Sequence, residues 1–166
     1  VIDLDRDGDK DILDMQYWYE NDGSENFTSN QYASKSLEGQ VAIDFDLDGD
    51  LDIIRTSDSK VFQWLQNDGS QNFSQQSIKT EIYRGWEKPH VADFDHDGDM
   101  DILAIKGGCN NSNCNSPKSI VLFLNDGSQN FTEKTVFAPA NEFQNWYFNA
   151  LIVADFDKDG DLDFAS

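Results

Sequence analysis

The chain has 166 residues, with 32 acidic against 12 basic side chains and a formal net charge of −20. Such a balance excludes a nucleic-acid partner and docking on anionic lipid, because both surfaces would repel it. Two His and two Cys leave little for His-based catalysis or a Cys-rich zinc site, and no apolar run approaches the ~18 residues of a membrane span.

Hydrophobic residues make up 38% of the chain and aromatics 13%, enough for a core, so the acidity does not imply disorder. The chain opens at Val1 in mid-pattern, as a processed chain or a fragment would. An acidic window follows at once, Asp3-Leu-Asp-Arg-Asp-Gly-Asp-Lys-Asp11, and then a turn motif, Asn21-Asp-Gly-Ser-Glu-Asn-Phe27. The stretch between Asp11 and Asn21 is short, so a tight hairpin is predicted there.

The second unit is the clearest. A strand is predicted over 41–45, followed by the window Asp44-Phe-Asp-Leu-Asp-Gly-Asp-Leu-Asp52 and a strand over 51–54. Another strand over 61–65 leads into Asn67-Asp-Gly-Ser-Gln-Asn-Phe73, and a last one runs to Ile78. The third unit repeats this order with Asp93-Phe-Asp-His-Asp-Gly-Asp-Met-Asp101 and Asn125-Asp-Gly-Ser-Gln-Asn-Phe131, with insertions at 107–119 and 138–149. A fourth window, Asp155-Phe-Asp-Lys-Asp-Gly-Asp-Leu-Asp163, closes the sequence. Asn-Asp-Gly-Ser between apolar runs reads as a hairpin turn with Gly in the left-handed region. No segment shows sustained helical periodicity. About four strands per repeat predict an all-β chain of β-propeller blades forming a partial propeller or open arc. The repeats are expected at 1–40, 41–89, 90–151 and 152–166, the last incomplete.

The four windows hold 20 of the 32 acidic residues; outside them, 12 acidic residues face 9 basic ones. Like carboxylates ~5 Å apart cost about 1–3 kcal/mol per pair, so five in one turn need a cation. All-oxygen ligands select Ca²⁺ over zinc or copper, and over Mg²⁺, which keeps its waters. Asp at window positions 1, 3 and 5 turns carboxylates inward, and Gly at 6 permits the sharp bend. Position 7 offers its carbonyl and position 9 closes the shell. About four Ca²⁺ ions are expected. The ligand sets are Asp3, Asp5, Asp7, Asp9, Asp11; Asp44, Asp46, Asp48, Asp50, Asp52; Asp93, Asp95, Asp97, Asp99, Asp101; and Asp155, Asp157, Asp159, Asp161, Asp163. The position-7 side chain is expected to point outward. An EF-hand fits poorly, because it needs a Glu at position 12, where this chain has Asp14, Arg55, Ala104 and Ser166, and a helix on each side. Apolar residues at position 2 (Leu4, Phe45, Phe94, Phe156) and position 10 (Ile12, Ile53, Ile102, Phe164) are expected to anchor each loop on its sheet.

The pairing of D-x-D-x-D-G-D-x-D with N-D-G-S-x-N-F resembles the FG-GAP/VCBS-type repeat of integrin α-chain propellers and many secreted bacterial and fungal proteins. The likeness spans three repeats and the opening of a fourth. It implies a Ca²⁺ loop between the first and second strands of each blade. The Phe-Gly and Gly-Ala-Pro signatures of integrins are not evident, so integrin ligand binding is not carried over. Such propellers usually have about seven blades, more than this chain supplies, and a fragment or edge-to-edge self-association would account for that.

Other residues add less. Cys109 and Cys114 read as a small-loop disulfide, suited to an oxidising, extracellular place. Asn26, Asn72, Asn110 and Asn130 open N-glycosylation sequons. Trp18 and Trp64 read as core, whereas Trp86, Trp146 and Tyr147 are candidates for stacking on sugars. His90 and His96 stand in no nucleophile arrangement. The sequence thus predicts a secreted, non-enzymatic calcium-binding module with structural, adhesive or assembly work. Its partner would be a protein or glycan at an extracellular surface. A lectin-like propeller and an accessory domain of a polysaccharide-degrading enzyme are the alternatives.

Overall fold

The computed structural model describes residues 1–34, 39–56, 62–78, 88–106, 118–138 and 151–165. The expectations for Cys109, Cys114, Asn110, Trp86, Trp146, Tyr147 and most of both insertions lie outside these residues. The described chain is all β, in four antiparallel sheets, none of them closed.

Sheet 1 consists of β1 (Ile12–Leu13), β2 (Tyr17–Asn21) and β3 (Phe27–Gln31). Sheet 2 has β4 (Val41–Ile43), β5 (Asp52–Thr56), β6 (Phe62–Asn67) and β7 (Phe73–Ile78) in simple up-and-down order. Sheet 3 repeats this with β8 (His90–Ala92), β9 (Asp101–Lys106), β10 (Ser119–Asn125) and β11 (Phe131–Phe137). Sheet 4 pairs β12 (Ile152–Ala154) with β13 (Asp163–Ala165). Four strands per repeat therefore hold for sheets 2 and 3. In sheet 1 the first strand shrinks to one bridge, Ile2 to Asp11. The tight hairpin after Asp11 is present, with the Asp14 amide donating to the Tyr17 carbonyl at 2.9 Å.

The inner strands do not alternate apolar with polar. β9 (DILAIK) and β10 (SIVLFLN) are near-continuous apolar runs, because both of their faces are covered. The fourth strands, β3 and β11, are largely exposed and carry Thr, Ser, Gln, Lys or Glu. Successive sheets pack face to face in chain order. Leu13, Tyr32 and Ala33 of the first unit meet Ile53 and Leu65 of sheet 2. Phe45, Ile54, Phe62 and Trp64 meet Ile102, Val121 and Phe123 of sheet 3. Leu103, Ile105 and Ile120 meet Leu151, Val153 and Phe164 of the fourth unit. Phe62 stands edge-on to Phe123 with centroids 5.8 Å apart, and Phe45 lies nearly parallel to Phe131 at 6.4 Å. Each buried Phe or Leu contributes about 1.5–3 kcal/mol to this packing. Trp18 and Trp64 are buried, as their place before the turns suggested.

The anchoring residues divide. Leu4, Phe45, Ile53 and Ile102 are buried, but Ile12 is 43% exposed and Phe156 56%. The reason is directional. Position 10 faces the preceding sheet and position 2 the following one, and these two residues face sides with no sheet among the described residues.

Candidate metal centre

Each acidic window becomes the loop between the first and second strands of its unit, as between β4 and β5 or β8 and β9. The chain turns on its own carboxylates. The Asp50 amide donates to Asp48 Oδ1 and the Asp99 amide to Asp97 Oδ1, both at 2.9 Å. Gly98 donates to Asp93 Oδ2 at 3.0 Å and Gly160 to Asp155 Oδ2 at 3.2 Å. Gly at position 6 has φ between 97° and 105° in all four loops, which an L side chain tolerates poorly. A second left-handed residue was not foreseen: position 4, filled by Arg6, Leu47, His96 and Lys158, has φ of 61–64°. Nothing in those four side chains signals it, since only the backbone conformation is shared.

Position 9 is the hinge between the two motifs. Asp11, Asp52 and Asp101 are fully buried. Oδ2 of Asp101 accepts the Phe94 amide at 2.9 Å, and its Oδ1 accepts the Asn125 amide at 2.8 Å. Asp11 does the same with Leu4 and Asn21, and Asp52 with Phe45 and Asn67. Asp52 Oδ2 also accepts Trp64 Nε1 at 2.9 Å. The leading Asn of each turn replies with its side chain: Nδ2 of Asn21, Asn67 and Asn125 donates to the carbonyls of Lys10, Leu51 and Met100. Acidic loop and Asn-Asp-Gly-Ser turn are therefore one hydrogen-bonded unit. Three of the position-7 side chains fold back rather than projecting outward as the sequence suggests, whereas Asp161 in the fourth loop is 76% exposed. Asp9, Asp50 and Asp99 lie against the turn glycines Gly23, Gly69 and Gly127, where a Cβ on Gly69 would fall 2.5 Å from Asp50 Oδ2.

Within each loop the carboxylates converge. Asp3, Asp5 and Asp11 bring one oxygen each within 4.8 Å of one another, as do Asp93, Asp95 and Asp101, and Asp155, Asp157 and Asp163. In the second loop the group is Asp44, Asp46 and Asp48, and Asp52 differs from Asp11 and Asp101 in that its Oδ2 accepts Trp64 Nε1 as well as a backbone amide. Asp7, Asp97 and Asp159 fall outside their groups, each with Oδ1 on the amide two residues ahead.

The donor set suits a hard cation. Asp3 Oδ1, Asp44 Oδ1 and Asp46 Oδ1 are buried from solvent with no hydrogen-bond partner. A carboxylate oxygen so placed carries a desolvation cost of about 1–3 kcal/mol, more when charged, unless something positive meets it. Burial pushes the Asp52 carboxyl up to about 6, against the hydrogen bonds from Asn67 and Trp64 that pull it down. Asp101 and Asp5 are raised from the same leading cause, burial. No His or Cys belongs to any of the four groups.

The turns carry a second set of carboxylates with another task. Asp22, Asp68 and Asp126 each accept the amide of the Ser two residues on at 2.9 Å. They also accept Nδ2 of Asn26, Asn72 and Asn130 at 2.9–3.0 Å. These hydrogen bonds hold all three carboxyls below the usual range. The three sequon asparagines thus clasp their own turns. Neighbouring loops touch through position 4, where Arg6 lies 3.9 Å from Asp44 and His96 Nε2 lies 3.0 Å from Asp161.

The FG-GAP-like repeat family matches residues 44–104 and 111–166, most of the chain. The chain belongs to this family. Comparison with curated proteins and with solved structures gives no match. As an FG-GAP-like chain it is a repeat module of integrin-like type, and repeats of this kind are typical of extracellular proteins. Among the described residues no helix is long and apolar enough to cross a membrane.

Proposed function

We propose that this FG-GAP-like chain is a secreted, non-enzymatic calcium-binding module whose sheets are successive blades of a propeller arc. Each loop takes one Ca²⁺, and the partner is a protein or glycan at an extracellular surface. The observation that carries this reading is the orphaned set of buried carboxylate oxygens, Asp3 Oδ1, Asp44 Oδ1 and Asp46 Oδ1, set inside convergent Asp groups. The ion acts as a staple. It neutralises the cluster and fixes the loop, and through the shared position-9 Asp it also fixes the hairpin behind it. At free calcium ~100-fold above Kd, each site adds about 2.7 kcal/mol to the folded state. The lectin alternative gains nothing from Trp18 and Trp64, which are buried.

Two measurements test the proposal. Thermal melting should fall by many degrees on EGTA treatment and recover with Ca²⁺. Terbium should give luminescence sensitised by Trp64, which donates to Asp52 in the second loop, and excess Ca²⁺ should quench it. An unchanged melting point, with no sensitised emission, overturns the reading.

A further inference from the structure

Position 4 of the acidic loops links one unit to the next. Its backbone is left-handed, at φ 62° in Arg6, 61° in Leu47 and 63° in His96. In each of these three loops the side chain meets the following unit. His96 Nε2 lies 3.0 Å from Asp161 Oδ1 of the fourth loop. Leu47 shares a small cleft with Asp99, Gly127 and Gln129 of the third unit. Arg6 reaches the second loop, with Nη2 3.9 Å from Asp44 Oδ2. A Cβ on Gly49 would fall 3.8 Å from Arg6 Nη1, so the guanidinium lies over the bend of that loop, beside positions 1 and 6.

The second loop is where a borrowed charge matters most. Its window, Asp44 to Asp52, holds five carboxylates and no Lys, Arg or His. The first window has Arg6 and Lys10, the third His96 and the fourth Lys158. Asp44 belongs to the convergent group of the second loop, and its two oxygens have different surroundings. Oδ2 faces the guanidinium and accepts the Gly49 amide at 3.2 Å, while Oδ1 is buried with no hydrogen-bond partner. At 3.9 Å the guanidinium acts on Asp44 as a charge and not as a hydrogen-bond donor. It therefore offsets the repulsion among Asp44, Asp46 and Asp48 without satisfying Oδ1.

We infer that Arg6, a residue of the first loop, sets the calcium affinity of the second: its charge steadies that loop when the cation is absent and opposes the cation when it binds. The inference rests on the calcium reading proposed above. The same charge that attracts Asp44 repels Ca²⁺, and a guanidinium does not deprotonate to make way for the ion. Across a partly solvated contact this repulsion lowers affinity by about two- to tenfold. A purely structural role has the opposite sign. If Arg6 served to hold Asp44 ready for the ion, its removal would weaken binding.

The test uses the whole chain with two readouts: terbium luminescence sensitised by Trp64, which reports the second loop, and thermal melting in EGTA. Arg6→Leu installs the residue that already holds this left-handed position in the second loop, Leu47. It should bind terbium, and calcium in competition, about two- to tenfold more tightly, while its melting point in EGTA falls by about 1–4 °C. Arg6→Lys should restore most of the wild-type behaviour in both readouts. Arg6→Glu should move both further than Arg6→Leu does, and raised salt should shrink all the differences. Unchanged or weaker binding by Arg6→Leu, with sensitised emission present in the wild type, overturns the inference and leaves the calcium reading standing. A wild type with no sensitised emission and a melting point indifferent to EGTA overturns both.

Discussion

Gly69→Ala tests whether the acidic loop and the hairpin turn are one unit. Gly69 sits at φ +79° in the β6–β7 turn, and a Cβ there would lie 2.5 Å from Asp50 Oδ2 and 3.3 Å from its Cγ. Two costs follow. The left-handed backbone costs an L residue about 1–2 kcal/mol. The Asp50 carboxylate must also turn aside into a poorer rotamer, at about 0.5–1.5 kcal/mol. The sum is roughly 2–3 kcal/mol, a fall in Tm of about 5–10 °C for a chain of this size. Only the second cost depends on Asp50. In an Asp50→Ala background the Gly69→Ala penalty should shrink to the backbone part, giving a coupling of about 0.5–1.5 kcal/mol in a double-mutant cycle. Urea denaturation of the four variants at saturating calcium measures it. Additive effects, with coupling near zero, would refute the claim that the turn glycine seats the position-7 carboxylate.

Three further outcomes are expected. Asp46→Asn should act with opposite signs in the two metal states. It relieves like-charge repulsion and so stabilises the EGTA-treated protein by about 1–3 kcal/mol, yet it lowers Tm with calcium present; a loss of similar size in both states would sink the cation reading. Leu47→Gly should raise stability by about 0.5–1 kcal/mol, because Leu47 holds φ 61° without the help glycine gives, and a clear loss in thermal melting would contradict it. The metal-free protein should also lose stability as pH rises from about 4 through 6. Folding raises the Asp52 carboxyl from 3.8 to about 6, so the folded state holds that proton more tightly than the unfolded chain. The stabilisation is complete below the unfolded value and gone above the folded one, about 1–2 kcal/mol after solvent screening. Calcium reverses the trend, because the ion requires ionised ligands; a flat profile in EGTA would count against the buried Asp52.

What the sequence revealed was whatever depends on residue type. The windows at 3, 44, 93 and 155 appear as loops, and Asn67-Asp-Gly-Ser joins β6 to β7 at the expected place. Phe45 and Trp64 pack edge to face at 5.5 Å in the core. What stayed hidden depends on conformation or on contacts between motifs. Arg6, Leu47, His96 and Lys158 share a left-handed backbone and no side-chain chemistry. The clasp of Asn72 on Asp68 was legible only as a sequon. Asp48 and Asp97 look alike in sequence, yet only Asp48 belongs to its convergent group. In the second loop Trp64 takes one oxygen of Asp52, whereas the residue at the same place in sheet 3 is Leu122, which has no donor to offer Asp101.

That difference bears on how the repeat works. A buried carboxylate at position 9 serves two masters: it splints the backbone amides of the loop and the turn, and it adds negative field to the cation group. Where its second oxygen carries one hydrogen bond, as in Asp11, Asp101 and Asp163, the carboxylate is also a member of the convergent group. Where Trp64 supplies another, Asp48 takes its place. The loops are thus alike in sequence and unequal in donor geometry. Their affinities for one cation should therefore differ, with the second loop set apart by the hydrogen bond from Trp64 Nε1 to Asp52.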